Sequence, residues 1–103
     1  MIFRTNKITN YTKIDNKYLE DKNISLKAKG LLTLMLSLPD DWKFNINGLC
    51  LLCKESKDAV NNAIKELKEN HYVKIEKTYD DNGRFIYEYY IYENPDGIKT
   101  DTD

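Results

Sequence analysis

The sequence has little of what most specialised protein classes require. Of its 103 residues, four are glycine, two proline, two cysteine and one histidine. So little glycine and proline excludes collagen-like and low-complexity chains. Two cysteines and one histidine fall short of the four Cys and His ligands of an ordinary structural zinc site, so no zinc is expected. The apolar runs are broken by polar residues well before the roughly 20 positions that span a bilayer. The opening residues, MIFRTNKITN, lack the apolar stretch of a secretory signal. There is also no surplus of charge. Lys+Arg number 16 against 17 Asp+Glu, a formal net charge of −1. Domains that bind nucleic acid on their own usually carry a basic excess, because phosphate neutralisation supplies most of the affinity. From Ser25 to Tyr92 the count is ten basic and ten acidic residues, so trimming the ends changes nothing. A nucleic-acid function would require the lysines to be segregated onto one surface.

Catalytic patterns are missing as well. The sequence has no Walker A loop, no G-x-G-x-x-G and no G-x-S-x-G. His71 follows a helical stretch with no nucleophile or carboxylate dyad suggested beside it, so a capping or structural role is expected. Cys50 and Cys53 form a C-x-x-C spacing that falls within a helical pattern, on its apolar face. A redox motif would instead open a helix after a strand. Buried, reduced thiols are expected, in a cytoplasmic protein that is not an enzyme and uses no cofactor or metal.

What remains is an ordinary soluble composition, 41% hydrophobic and rich in tyrosine, with room for one domain and one core. Residues 1–23 read as an extended lead-in, with a short strand or helical turn near Ile14 to Leu19. Ser25 is an N-cap candidate for a helix ending near Ser37 ahead of Pro39. Its apolar positions, from Ala28 to Leu38, cover slightly more than half the circumference, so packing on two sides is expected, by the lead-in or by a second subunit. Trp42 to Phe44 could form a short strand. Ile46, Leu49, Cys50 and Cys53 mark a second helix. After a turn, Ser56 caps a third helix that runs to about Asn70, with Val60, Ala63, Ile64 and Leu67 inward. At 1.5 Å per residue that helix spans ~20 Å, enough to lie in a major groove. Val73 to Tyr79 and Arg84 to Tyr92 form strands about the hairpin signal Asn82-Gly83. Tyr87 and Tyr89 are expected toward the core, Tyr90 and Tyr92 outward. Residues 96–103 read as a disordered tail.

Helix, turn, longer helix and hairpin, all within residues 24–95, make an α+β fold: a winged helix with three helices and a C-terminal β-hairpin wing. Such domains most often bind DNA. Lys57, Asn61, Lys65 and Lys68 form a stripe along one flank of the third helix, with Asp58, Glu66 and Glu69 on the other and Asn62 between. Lysine reaches phosphate, and asparagine can bond an adenine edge.

The segment ISLKAKGLLTLMLSLPDDWKF, followed by KESKDAVNNAIKELKENHYV and a hairpin ending YEYYIYENP, resembles the N-terminal winged-helix domain of Gram-positive phage and plasmid replication initiators and replisome organisers, the DnaD-like proteins. The resemblance covers Ile14 to Pro95. Its most specific parts are the S-x-K-A-K-G-L pattern of Ser25 to Leu31 and S-L-P-D-D-W at Ser37 to Trp42. It implies DNA binding or replisome assembly in a mobile element, and a tendency to self-associate. The chain departs from the family at His71, where relatives commonly have glycine before Tyr72, and at Leu51, where they tend to carry a charge. Longer relatives add a second domain after the wing, and activities that need it are not expected of these 103 residues.

Two readings follow. In the first, a small DNA-binding protein acts in replication initiation or transcription control. Ser56, Lys57, Asn61, Asn62 and Lys65 would then carry recognition of double-stranded DNA, Lys74, Lys77 and Arg84 would grip its backbone, and a homodimer is expected. In the second, the same fold is a protein-interaction module that uses Leu51 and Tyr90 against a replisome or host protein. Neutral charge and Leu51 favour the second; the lysine stripe and the resemblance favour the first.

Overall fold

The computed structural model describes residues 10–95. Within them the order is α1 (Leu26–Ser37), α2 (Ile46–Leu51), α3 (Lys57–Glu69), β1 (Val73–Tyr79) and β2 (Phe85–Ile91). The fold is α+β, three helices followed by one antiparallel hairpin. The outer parts of the lead-in and tail, residues 1–9 and 96–103, lie outside the described residues.

Each helix starts where a short polar side chain can satisfy an orphan backbone N–H. Ser25 caps α1 by accepting from Ala28, Asn45 caps α2 by accepting from Gly48, and Ser56 caps α3 by accepting from Ala59. The end of α3 is a Schellman motif. Tyr72 N–H donates to Leu67 O at 2.9 Å and His71 N–H to Lys68 O at 3.1 Å. The motif needs a left-handed residue after the cap, and His71 supplies it at φ 68°. This explains why glycine suits the position.

The core is a single cluster. Leu32, Leu49 and Leu67, one from each helix, are fully buried, each stabilising the fold by about 1.5–3 kcal/mol. Val60, Ala63 and Ile64 pack beside them as the spacing predicts. The lead-in covers one side of α1. Its residues turn at 16–20, where Glu20 N–H bonds Asn16 O at 3.1 Å. Tyr18 is driven fully inside, its hydroxyl 2.7 Å from Thr33 Oγ1. The neighbouring Tyr72 hydroxyl donates to Asp21 Oδ2 at 2.6 Å, and this bond holds the Asp21 carboxyl below its usual pKa.

Three local expectations change. Trp42 to Phe44 is not a strand; the sheet has two strands. Phe44 is fixed instead by its rings' neighbours, edge-on to Trp42 at 5.0 Å and stacked on Tyr89 at 5.6 Å. The second helix stops at Leu51, so Cys53 lies beyond it, its thiol donating to Leu49 O at 3.4 Å. Both cysteines are half-buried rather than enclosed. The hairpin turns over Asp80 to Gly83, around the expected Asn82-Gly83 signal. Gly83 N–H bonds Asp80 O, Asp80 N–H bonds Arg84 O, and only Gly83 has positive φ, at 79°. This is a type I turn followed by a glycine bulge, so five residues separate the last paired residues, Tyr79 and Phe85.

Candidate nucleic-acid interface

An open groove of about 710 Å³ runs between α3 and the wing. Its helix wall carries Asn61, Lys65 and Lys68, and Lys43 joins them from the loop before α2. Its floor and far wall are apolar, made by Phe44, Ile75, Tyr87 and Tyr89 among others. Three lysines and no carboxylate line it. In a chain of nearly balanced charge this is the segregation that phosphate binding requires.

The acids are placed elsewhere. Glu66 accepts from both Ser25 N–H and Ser25 Oγ–H at 2.7 Å, which seats a carboxylate at the positive end of α1. Glu20, Asp21 and Glu69 border a separate depression beside His71. Asp58 sits in the first turn of α3, where it complements the helix dipole.

The sequence-derived residues divide on inspection of their faces. Lys57, Asn61 and Lys65 fall on one stripe of α3, with Lys57 a turn ahead of the groove residues; all three are exposed. Asn62 is exposed but does not line the groove. Ser56 is committed to capping, its Oγ 3.2 Å from Ala59 N, which leaves its hydroxyl proton free to donate. On the wing, Lys77 shares the α3-facing side with Tyr87 and Tyr89. Lys74 does not. It lies three positions from Lys77, and a strand's period of two puts them on opposite faces. On the outer face Lys74 pairs with Glu76 at 2.8 Å and lies 5.8 Å from the Tyr90 ring centre. The Glu76 carboxylate raises its pKa. Glu76 also stands directly opposite Glu88, whose carboxylate receives the Tyr90 hydroxyl at 3.0 Å. That face carries two carboxylates beside Lys74, and Lys74 does not line the α3 groove. Arg84, at the tip, is drawn back toward Asp80, with Nε 3.6 Å from Oδ2.

Tyr87 also differs from expectation. It faces the core side, yet it is 59% exposed, because the wing extends past the core. Leu51 is 87% exposed and Tyr90 is partly exposed, as expected for surface contacts. Lys43 and the exposed rings of Phe85 and Tyr87 were not foreseen as site residues. The strand alternation that puts the two rings on the face of Lys77 was the available signal for them; no local pattern marked Lys43.

Among known proteins, no protein-family model matches the chain, and no curated protein matches it by sequence. One solved structure shares the arrangement. It is described as a possible transcriptional regulator from Methanosarcina mazei Go1, with TM-score 0.54 and 23% identity over 76% of this chain. The fold is winged-helix-like. The chain spans 63% of that protein's length, and the likeness is one of fold.

Proposed function

We propose that this winged-helix-like domain binds DNA through α3 and the adjoining groove, without catalysis, in transcription control or replication initiation. The observation that carries this reading is the groove with three lysines and no carboxylate, beside the exposed Lys57–Asn61–Lys65 stripe. The description of the structural neighbour favours transcription control. The sequence resemblance favours replication in a phage or plasmid.

The decisive measurement is duplex binding against salt. Four phosphate contacts, from Lys43, Lys57, Lys65 and Lys68, give a log–log slope of about −3 to −4. Lys65→Glu is expected to reduce duplex affinity by a factor of ten or more, since it reverses a charge beside phosphate. Lys74→Glu is expected to leave affinity unchanged. Equal effects of the two substitutions would end the assignment of the groove.

A homodimer belongs to the same proposal. Leu26 and Leu51 are 86% and 87% exposed. Between α1 and α3 lies an apolar groove of about 440 Å³ floored by Gly30, Leu34 and Ala59. Lys27 and Glu55 border it with opposite charges, as a self-complementary two-fold contact would use them. A Cβ at Gly30 would meet nothing within 4 Å, so no packing inside the subunit explains a glycine in mid-helix. The same exposure of Leu51 supports the second reading, a surface for a replisome or host protein.

A further inference from the structure

We propose that the groove between α3 and the wing takes a single strand of DNA, with Tyr87 as the platform on which an unpaired base stacks. This rests on the DNA-binding reading above and narrows the form of DNA.

The inner face of the wing has two halves. Near the core, Val73 is buried and Ile75, Tyr89 and Ile91 are half-buried. Farther out, Tyr79, Phe85 and Tyr87 are 62%, 57% and 59% exposed on that same face. Such rings on a hairpin in water invite aggregation unless something covers them. They are not equivalent. Lys77 Nζ sits 3.7 Å over the Phe85 ring, and Tyr79 lies against that ring at 5.0 Å. Phe85 is therefore held in place by its neighbours. Among the described residues, the Tyr87 side chain makes no ring contact and no hydrogen bond. It stands at the groove wall, across from Lys65 and Lys68.

A duplex cannot use such a ring well. Its bases stack on one another and offer only their edges in the grooves. An unpaired base offers its flat face, and every base has one. The occupant that matches apolar ring faces on one wall and ammonium groups on the other is a chain of flat bases on a phosphate backbone. The absence of a carboxylate in the lining suits phosphate and disfavours a basic peptide. The strand is taken as DNA because the α3 stripe beside it carries the DNA-binding reading above.

The full chain is titrated with labelled mixed-sequence oligonucleotides of ~15 nucleotides, near the upper site size of small single-strand binders. Single-stranded DNA, the same sequence as duplex, and the same sequence as RNA are compared at one low salt concentration. The single DNA strand is expected to bind about tenfold more tightly than the duplex. Tyr87→Ala is expected to weaken single-strand binding about tenfold and duplex binding by much less, with the thermal midpoint unchanged, and Tyr87→Phe to keep the single-strand affinity. An unchanged single-strand affinity in Tyr87→Ala overturns the proposal. So does an equal loss on duplex, which would make the ring a wedge in a minor groove, or tighter binding of RNA. Duplex binding that depends on Lys65 without single-strand binding leaves the proposed function standing and this inference fallen. No binding to any oligonucleotide removes both.

Discussion

Single residues here carry more than one demand, and the backbone demand is often the stricter. His71 closes the Schellman motif of α3 at φ 68°. A residue with a Cβ pays about 1–2 kcal/mol for that conformation, and the greater freedom of glycine in the unfolded chain returns about 0.5–1 kcal/mol of the difference. His71→Gly is therefore expected to stabilise the protein by about 0.5–1 kcal/mol, read as a raised thermal midpoint. A lowered midpoint would mean that the imidazole makes a contact worth more than the strain. Glycine at 83 answers the same demand in the wing turn, at φ 79°. Gly48 answers a different one, since a Cβ there would come within 3.2 Å of Trp42 and of the Asn45 cap.

At the scale of elements, α1 and α3 are joined at their ends as well as along their faces. Glu66 of α3 receives two hydrogen bonds from Ser25 at the start of α1. It was read as part of an acidic flank, and its charge is used to bind two helices and to complement a dipole. Glu66→Ala is expected to cost about 1–2 kcal/mol in urea unfolding, because charge-assisted bonds are lost and an N-terminus loses its counter-charge. The neighbouring exposed Glu69→Ala serves as the control and should stay within about 0.5 kcal/mol. Equal effects would assign Glu66 to the solvated surface. The wing behaves differently from the helices. Its two faces differ in charge, with Lys77 and rings toward α3 and the Glu76 and Glu88 carboxylates beside Lys74 and Tyr90 away from it, so its role in binding depends on which face meets the ligand.

The molecule has nearly equal numbers of acids and bases, yet one groove is lined by bases alone. Glu66 lies at the α1 start, Glu20, Asp21 and Glu69 border the depression beside His71, and Glu76 and Glu88 stand on the outer wing; Lys43, Lys65 and Lys68 line the α3 groove. Association would add a second level to this arrangement. Light scattering at high concentration is expected to give a dimer mass, and Leu26→Asp combined with Leu51→Asp a monomer mass. The double variant should keep its fold, since both side chains are exposed. A wild-type monomer at high concentration would end the dimer proposal and leave Leu51 to a different protein partner.

The local order of this protein was legible from its sequence. Ser25 and Ser56 as caps, the 3.6-residue apolar spacing of α1 and α3, and the turn residues before Phe85 are all short-range signals, and the boundaries they implied agree with the structure to within a residue or two. The opposite placement of Lys74 and Lys77 was equally legible, because strand alternation alone decides it. Other features depend on distances that no local pattern encodes. How far the wing outruns the core decides that Tyr87 is exposed while Tyr89, two residues on, is half-buried. Whether Phe44 pairs as a strand or stacks as a ring depends on where Tyr89 arrives from 45 residues away. The charge of the candidate site was also a tertiary matter. The sequence determined nearly equal numbers of acids and bases, and only the packing of α3 against the loop before α2 and the wing collected Lys43, Lys65 and Lys68 around one groove.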